Sequence, residues 1–370
     1  MAIDKQLDSL ELMLNVGPQH PATHGVFRMV VWIDGERIVD VEPHIGYLHR
    51  GSEKLCENEQ YSQIITLFDR LVYISIFNNE LVVCMATEKL MGAEAPERAQ
   101  YIRTILCELN RIASHMLFYG TFALDAGAMS PVMYAFRERE RIQAIFEATS
   151  GARLMHNYFR IGGVKQDVPD DFAQRVNAAL GPVKEVIEEA DRLVTFNEIF
   201  LARTRDVGTI DGKTAVALGL TGPNLRASGV DYDVRRAAPY MLYDRFDFTV
   251  PLGDRGDCWD RFWLRIREME ESVKIVEQAL KQMEPGPIQA PMRRISRPPK
   301  GEVYVHAENP RGDLGVYLVS NGGDRPYRLK IRGPSFCNIM SLKHMMRNAY
   351  LADAIMILGS IDIVLGEVDR

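Results

Sequence analysis

The segment Gly17-Pro18-Gln19-His20-Pro21-Ala22-Thr23-His24-Gly25 is the densest chemical feature of the sequence. Proline and glycine restrict a backbone in opposite ways, so the segment holds a defined shape and carries two imidazoles. An imidazole can ligate a metal, carry a proton or bond to backbone. No third or fourth metal ligand is local to this pair. Tyr73 ends the apolar stretch that begins at Phe68, and its hydroxyl needs a hydrogen-bond partner if buried. Asp125 sits between apolar neighbours, where a buried carboxylate must be paired or have a raised pKa. A His, a Tyr and an Asp around an apolar cavity would make a proton-delivery site. Spacing alone does not bring them together, and each also reads as structural: a loop histidine, a core tyrosine, a helix-end carboxylate. Arg50 and Arg70 adjoin apolar segments and could face an anion or a redox centre, or serve in surface salt bridges. Asp362 and Glu367 are acids in a tail otherwise fit for burial.

Hydrophobic periodicity predicts the elements that must position these groups. Residues 10–16 read as a strand, and 26–33 with 37–43 as a hairpin about Asp34-Gly35. Residues 53–90 predict two buried helices, one on each side of Phe77-Asn78. Pro96 opens a helix in which Ile102, Ile105, Leu109, Ile112 and Met116 share a face. Ser130-Pro131 introduces a helix over 131–156. Asp170 caps another, with Phe172, Val176, Leu180, Val183, Ile187 and Val194 inward and a bend at Gly181-Pro182. Ile266, Met269, Val273, Val276, Leu280 and Met283 mark an amphipathic helix ending before Pro285-Gly286-Pro287. Residues 287–333 predict β structure with a turn at Asn321-Gly322-Gly323, and 335–357 predict helix.

The expected class is α+β: a mainly helical bundle core with small antiparallel β parts. It divides into an N-terminal β region (1–50), a helical core (51–286) with a mixed insert near 206–259, a β region (287–333), and a C-terminal helix with a buried tail (334–370). These parts read as one integrated domain.

Composition narrows the function. The 370 residues carry a net charge of −6, which argues against a generic nucleic-acid binder. Cys56, Cys84, Cys107, Cys258 and Cys337 contain no CxxC pair, so no self-contained zinc or iron–sulfur site is expected. Their odd, sparse count fits a reducing compartment. Neither GxGxxG before a helix nor a GxxxxGK phosphate loop indicates a nucleotide site. No signal peptide and no membrane-spanning run is expected.

Eight motifs stand in a fixed order: GPQHPATHGVFR, HRGSEKL from His49, FDRL-Y from Phe68, ALDAGAMSP, FRERER from Phe136, IGGVK from Ile161, GPNLRASG and DIVLGEVDR. In these the chain resembles, over its whole length, the 49-kDa (D-type) subunit family of the proton-pumping NADH–quinone oxidoreductase, respiratory complex I. The resemblance implies a fold like the large subunit of nickel–iron hydrogenases. Those relatives hold their metals with two CxxC pairs, which would fall near Leu71–Ile74 and Val364–Glu367. No cysteine occurs at either place. It further implies that the former metal cavity is the head-group end of a quinone tunnel. There His24 and Tyr73 meet the quinone, and Asp125 pairs with His24. The electron donor would be a [4Fe–4S] cluster in the neighbouring B-type subunit, with Arg50 and Arg70 close to it and no cofactor bound by this chain alone.

One departure from the family concerns Met155, which stands where a histidine is common, with His156 one place later. On a helix one residue is about 100°, so His156 would not substitute. Met155 has no N–H to offer, which implies a lower cluster potential and fits a low-potential quinone such as menaquinone, although the resemblance leaves ubiquinone and menaquinone both open as the substrate. Implied partners are the B-type subunit, a separate C-type subunit (few residues precede GPQHP), other peripheral-arm subunits, and the H-type subunit of the membrane arm at the tunnel entrance. The implied location is peripheral, on the cytoplasmic side of the bacterial inner membrane. Related readings are a sister complex fed by a reduced deazaflavin or ferredoxin, a membrane-bound hydrogenase large subunit, which the missing cysteine pairs oppose, and a bare scaffold, which needs none of His24, Tyr73 and Asp125.

Overall fold

The computed structural model describes residues 11–20, 23–292 and 295–370. The chain opens with an antiparallel sheet of β1 (Glu11–Val16), β2 (Arg28–Asp34) and β3 (Arg37–His44), with β2 and β3 joined at Asp34-Gly35. Alternation along β2 turns Met29, Val31 and Ile33 into the core. Three helices follow: α1 (Ser52–Asn58), α2 (Tyr61–Phe68) and α3 (Ile76–Met91). The predicted break at Phe77-Asn78 is therefore misplaced. Gln60 and Gln63 form a capping box that starts α2, and the Phe77 N–H is taken by Asn110 Oδ1 at 3.1 Å inside α3. That tertiary bond hides what looks like a breaker.

The bundle core comprises α4 (Glu97–Asp125), α5 (Ser130–Ser150), α6 (Phe172–Ala190) and α11 (Cys258–Gln282). Ile102, Ile105, Leu109, Ile112 and Met116 of α4 are all fully buried. At about 1.5–3 kcal/mol for each buried large apolar side chain, this face is a principal stabiliser of the bundle. α5 stops at Ser150, earlier than the predicted 156, because Gly151 (φ 89) turns the chain and Ser150 Oγ caps the end on Phe146 O at 2.8 Å. β4 (Phe159–Arg160) and β5 (Gly163–Val164) form a small hairpin before α6. Asp171, not Asp170, occupies the N-cap of α6, and Pro182 lies inside the helix, which passes into a π turn at Asp191–Thr195.

The mixed insert holds only short helices: α7 (Glu198–Thr204), α8 (Gly212–Ala217), α9 (Pro223–Arg226) and α10 (Val234–Ala237). A second antiparallel sheet contains β6 (Gly301–Asn309), β7 (Gly312–Ser320) and β8 (Arg328–Arg332), and it packs on α3. The predicted helix 335–357 is divided into α12 (Pro334–Ile339), α13 (Leu342–Met346) and the start of α14 (Ala354–Ile361). It breaks because Asn348 (φ 66) and Ala349 exchange backbone bonds with Ile38 of β3 at 2.8 and 2.9 Å. The chain ends in α15 (Leu365–Asp369), and the tail from Met356 onward is almost wholly buried.

Candidate functional site

The loop before β2 is knotted by Thr23, whose buried hydroxyl lies 2.7 Å from His20 O and 2.9 Å from Gly25 O. Pro21 and Ala22 lie outside the described residues. The knot holds His24 at φ 52, a left-handed conformation uncommon for any residue but glycine. His24 Nε2 then stands 2.9 Å from Asp125 Oδ2, at the C-terminal end of α4. Both side chains are about one-fifth exposed (23% and 19%), so the pair is partly dehydrated yet reachable. The contact is an ion-pair approach rather than an aligned hydrogen bond: His24 Nε2 and Asp125 Oδ2 are themselves buried, and neither has a hydrogen-bond partner among the described residues.

The C-terminal tail is the floor beneath this pair. A Cβ placed on Gly359 of α14 would lie 2.9 Å from Asp125 Oδ2 and 3.4 Å from His24 Nε2. A Cβ on Gly25 would meet Leu365 Cδ1 at 2.9 Å. One residue further along, Gly366 lies against the turn after α2: its Cβ would stand 2.7 Å from Leu71 O, 3.2 Å from Arg70 O and 3.6 Å from Arg50 Nη2. Arg50 Nη2 donates to Arg70 O at 2.7 Å, and both arginines are exposed. Asn79 braces the same turn by donating to Phe68 O and Val72 O at 3.1 and 3.3 Å.

Tyr73 belongs to that turn. It is 45% exposed and makes no side-chain hydrogen bond among the described residues, so it is not a core tyrosine. The structure thus brings His24 directly to Asp125, and Arg50 directly to Arg70. Tyr73 lies in the turn whose Arg70 and Leu71 carbonyls face Gly366, and no hydrogen bond or ion pair joins it to His24 or Asp125 among the described residues. Exposed apolar side chains lie beside the pair in sequence: Val26 next after Gly25, Leu124 next to Asp125, then Met129, Met133 and Phe136 along one face at the start of α5. Exposed apolar side chains grouped in this way are a feature of interaction surfaces.

Met155 and His156 are not helical. Met155 (φ 56) and Asn157 (φ 41) flank a sharp turn that puts Met155 partly outward and buries His156. The one-residue difference matters through this turn rather than through a helical rotation. His156 stacks on Phe77 with ring centroids 4.3 Å apart, and burial lowers its pKa to about 4. It is a neutral core histidine.

The bundle also contains an ionic network that sequence reading missed. Arg226 bonds Glu268 Oε1 at 2.5 Å and Glu308 Oε1 at 2.9 Å, Arg235 bonds Asp233 at 2.7 Å, and His115 meets Glu268 at 2.9 Å, all buried. Burial pushes the Glu108 carboxyl up, but Arg111 and Arg235 outweigh it and hold the pKa at about 2. A signal was present: Arg103, Glu108, Arg111 and His115 interrupt an apolar helix at near-helical spacing. The two tail acids differ: Asp362 is in an ion pair, whereas Glu367 accepts a backbone N–H. Arg311 Nη2 donates to Asp362 at 3.0 Å, and Ser335 N donates to Glu367 at 2.8 Å.

A cleft of about 970 Å³, lined by residues including Glu88, Arg103, Tyr240 and His306, shares no residue with the His24 site. Among the described residues no three His, Cys, Asp or Glu side chains group as metal ligands, and no helix is long and apolar enough to cross a membrane.

The fold and site together define an α+β protein that presents a histidine–carboxylate pair between its N-terminal loop, the end of α4 and the C-terminal tail. Residues 125–300 and 291–370 match the family model described as the respiratory-chain NADH dehydrogenase, 49 Kd subunit. The chain is 51% identical over 370 residues to the D subunit of NADH-quinone oxidoreductase from Clostridium beijerinckii, covering the whole of both chains. It is 50% identical over 360 residues to the D subunits of Bacillus cereus and Bacillus anthracis, covering 97% of this chain and 98% of theirs. The chain belongs to this 49-kDa subunit family, and is thereby a component of a multisubunit NADH–quinone oxidoreductase of the respiratory chain.

Proposed function

We propose that this chain forms, with the B-type subunit, the quinone-reduction site of its complex. The observation that carries the reading is the His24–Asp125 pair, 2.9 Å apart, seated on Gly359 beside exposed apolar residues. Reduction of a quinone to a quinol takes two electrons and two protons. The Tyr73 hydroxyl donates one proton toward a carbonyl oxygen of the substrate, and the His24 imidazolium supplies the other. Asp125 orients the imidazole and stabilises its charged form until the proton leaves. The resulting change in charge at the pair is the starting point for coupling to proton translocation.

The residues of this chain do not supply a cluster of their own. Cys84, Cys107 and Cys258 are separately buried, and burial raises each thiol pKa. The positions equivalent to the hydrogenase pairs carry Leu71, Ile74, Val364 and Glu367, which have no thiolate to offer. In this reading the electrons come from the [4Fe–4S] cluster of the B-type subunit, beside Arg50 and Arg70, whose positive charge favours the reduced form. Met155 offers that cluster no N–H donor. The fold is then of the nickel–iron hydrogenase large-subunit type. The H-type subunit of the membrane arm closes the tunnel entrance at the rim formed by Leu124 and the start of α5. The C-type subunit and the other peripheral-arm subunits cover further surface, which leaves the chain peripheral on the cytoplasmic side of the inner membrane.

The test is Tyr73→Phe in membranes that carry the complex. Phenylalanine keeps the ring and removes the hydroxyl. Quinone reduction should fall by about 10²-fold or more, while NADH–ferricyanide activity, which needs only the distant flavin subunit, is unchanged. Unchanged quinone reduction would rule out this assignment of Tyr73.

A further inference from the structure

We propose that Asp69 and Glu80 form a buried acid pair that holds one proton between them and thereby ties the Arg70–Tyr73 turn to the segment Met155–Phe159. Asp69 is 1% exposed and Glu80 is fully buried. The two carboxyls lie close enough to act on one another, each altering the other's hold on a proton. Between them they also take three successive backbone N–H groups. Asn157 N donates to Asp69 Oδ2 at 3.1 Å, and Tyr158 N and Phe159 N donate to Glu80 Oε2 at 2.9 and 2.6 Å. The remaining oxygens, Asp69 Oδ1 and Glu80 Oε1, are buried with no hydrogen-bond partner among the described residues, which a proton shared between them would supply. Two ionised carboxylates in contact without water repel strongly, whereas a shared proton turns the contact into a strong hydrogen bond.

The surroundings keep that proton in place. Burial raises Glu80 well above the ordinary carboxyl range and Asp69 to about 6, so Glu80 is the donor. Arg70 from the turn and Arg160 from β4 oppose the rise. Cys84 of α3, Cys107 of α4, Tyr158 and His156 nearby are uncharged, since burial raises the first three and lowers His156 to about 4, and the charges of Glu88 and Arg103 beyond Cys84 are paired with each other. From β6, Asn309 contributes a neutral bond to Asn79. Asp69 is adjacent to Arg70, and the clamped N–H groups begin two residues after Met155. The pair is therefore a positioning device for the surface that bears Arg70, Tyr73 and Met155, and its effect on turnover rests on the quinone reading above.

The experiment compares wild type, Glu80→Gln and Asp69→Asn in membranes. An amide supplies the same donor and acceptor as the protonated acid but does not titrate. Both variants should assemble and reduce quinone within about twofold of wild type at neutral pH. In alkali, wild-type quinone reduction should fall as the shared proton leaves, and Glu80→Gln should retain at least about threefold more. A second readout does not involve quinone: the temperature at which the chain is released from the complex. The folded pair binds more protons than the unfolded chain, so wild-type stability should drop as pH rises above the ordinary glutamate value of 4.5, and Glu80→Gln should flatten that slope. Parallel slopes in wild type and Glu80→Gln, or failure of both amide variants to assemble, would overturn the shared proton. If Tyr73→Phe leaves quinone reduction intact while the stability slopes differ, the quinone reading fails and the acid pair stands.

Discussion

In Gly359→Ala, the added methyl group would stand 2.9 Å from Asp125 Oδ2, 3.1 Å from Phe122 Cδ2 and 3.4 Å from His24 Nε2. Ordinary contact begins near 3.4 Å, so the carboxylate must retreat by about 0.5 Å. The helix itself accepts the change. Gly359 is not in the left-handed region, and alanine is favoured over glycine inside a helix by about 0.5–1 kcal/mol. That offsets part of the roughly 1–3 kcal/mol typical of overpacking, so the complex should still assemble. The site absorbs the rest. A misplacement of about 1 Å can cost about 10²-fold in rate, so half of that implies roughly 10-fold. Lengthening the His24–Asp125 ion-pair contact adds to this loss. We expect NADH–quinone reduction in membranes to drop by about 10- to 100-fold, with NADH–ferricyanide activity retained. Gly181→Ala, in α6 with nothing near its Cβ, is the matched control and should change neither activity. Wild-type quinone reduction in Gly359→Ala would refute the claim that the tail sets the geometry of the pair.

Further outcomes follow from the same physics. His156 has its pKa depressed from 6.5 to about 4, so the unfolded chain binds the extra proton. Wild-type stability should rise as pH increases from about 4 to 6.5, by on the order of 3 kcal/mol. His156→Phe should lose that dependence, read from the temperature of release across a pH series. Arg226→Met would remove the guanidinium shared by the buried Glu268 and Glu308, leaving them His115 and the Val234 N–H, and breaking such a buried pair costs about 3–5 kcal/mol. Little assembled complex should then be recovered from membranes. Met155→His places an N–H donor where the backbone (φ 56) tolerates histidine. Titration of the neighbouring cluster by EPR should show a higher potential, and an unmoved potential would remove Met155 from the cluster's surroundings.

The family, the α+β class and the long amphipathic helices were legible from residues alone. The α4 and α11 patterns repeat over several turns, and such a repeat depends only on which side of a helix meets apolar neighbours. The hairpin at Asp34-Gly35 was legible for a similar reason, because its turn chemistry is local. The short helices were not. Asn78 reads as a breaker until Ser75 and Cys107 O accept its side-chain N–H bonds. The end of α5 depended on Gly151 and on a serine cap, and the run 335–357 broke because β3 captured its backbone.

For the site, sequence could nominate His24, Tyr73, Asp125, Arg50 and Arg70 by type and by resemblance, but not state their environments. Only the tertiary structure decided that Tyr73 is exposed, that His156 turns inward while Met155 faces out, and that Gly359 and Gly366 make room for the residues above them. The buried charges of α4, α9 and α10 and the Asp69–Glu80 pair were likewise invisible one residue at a time. Periodicity reports how a residue relates to its own helix. Pairing, desolvation and close approach depend on groups that the chain brings back from far along its length.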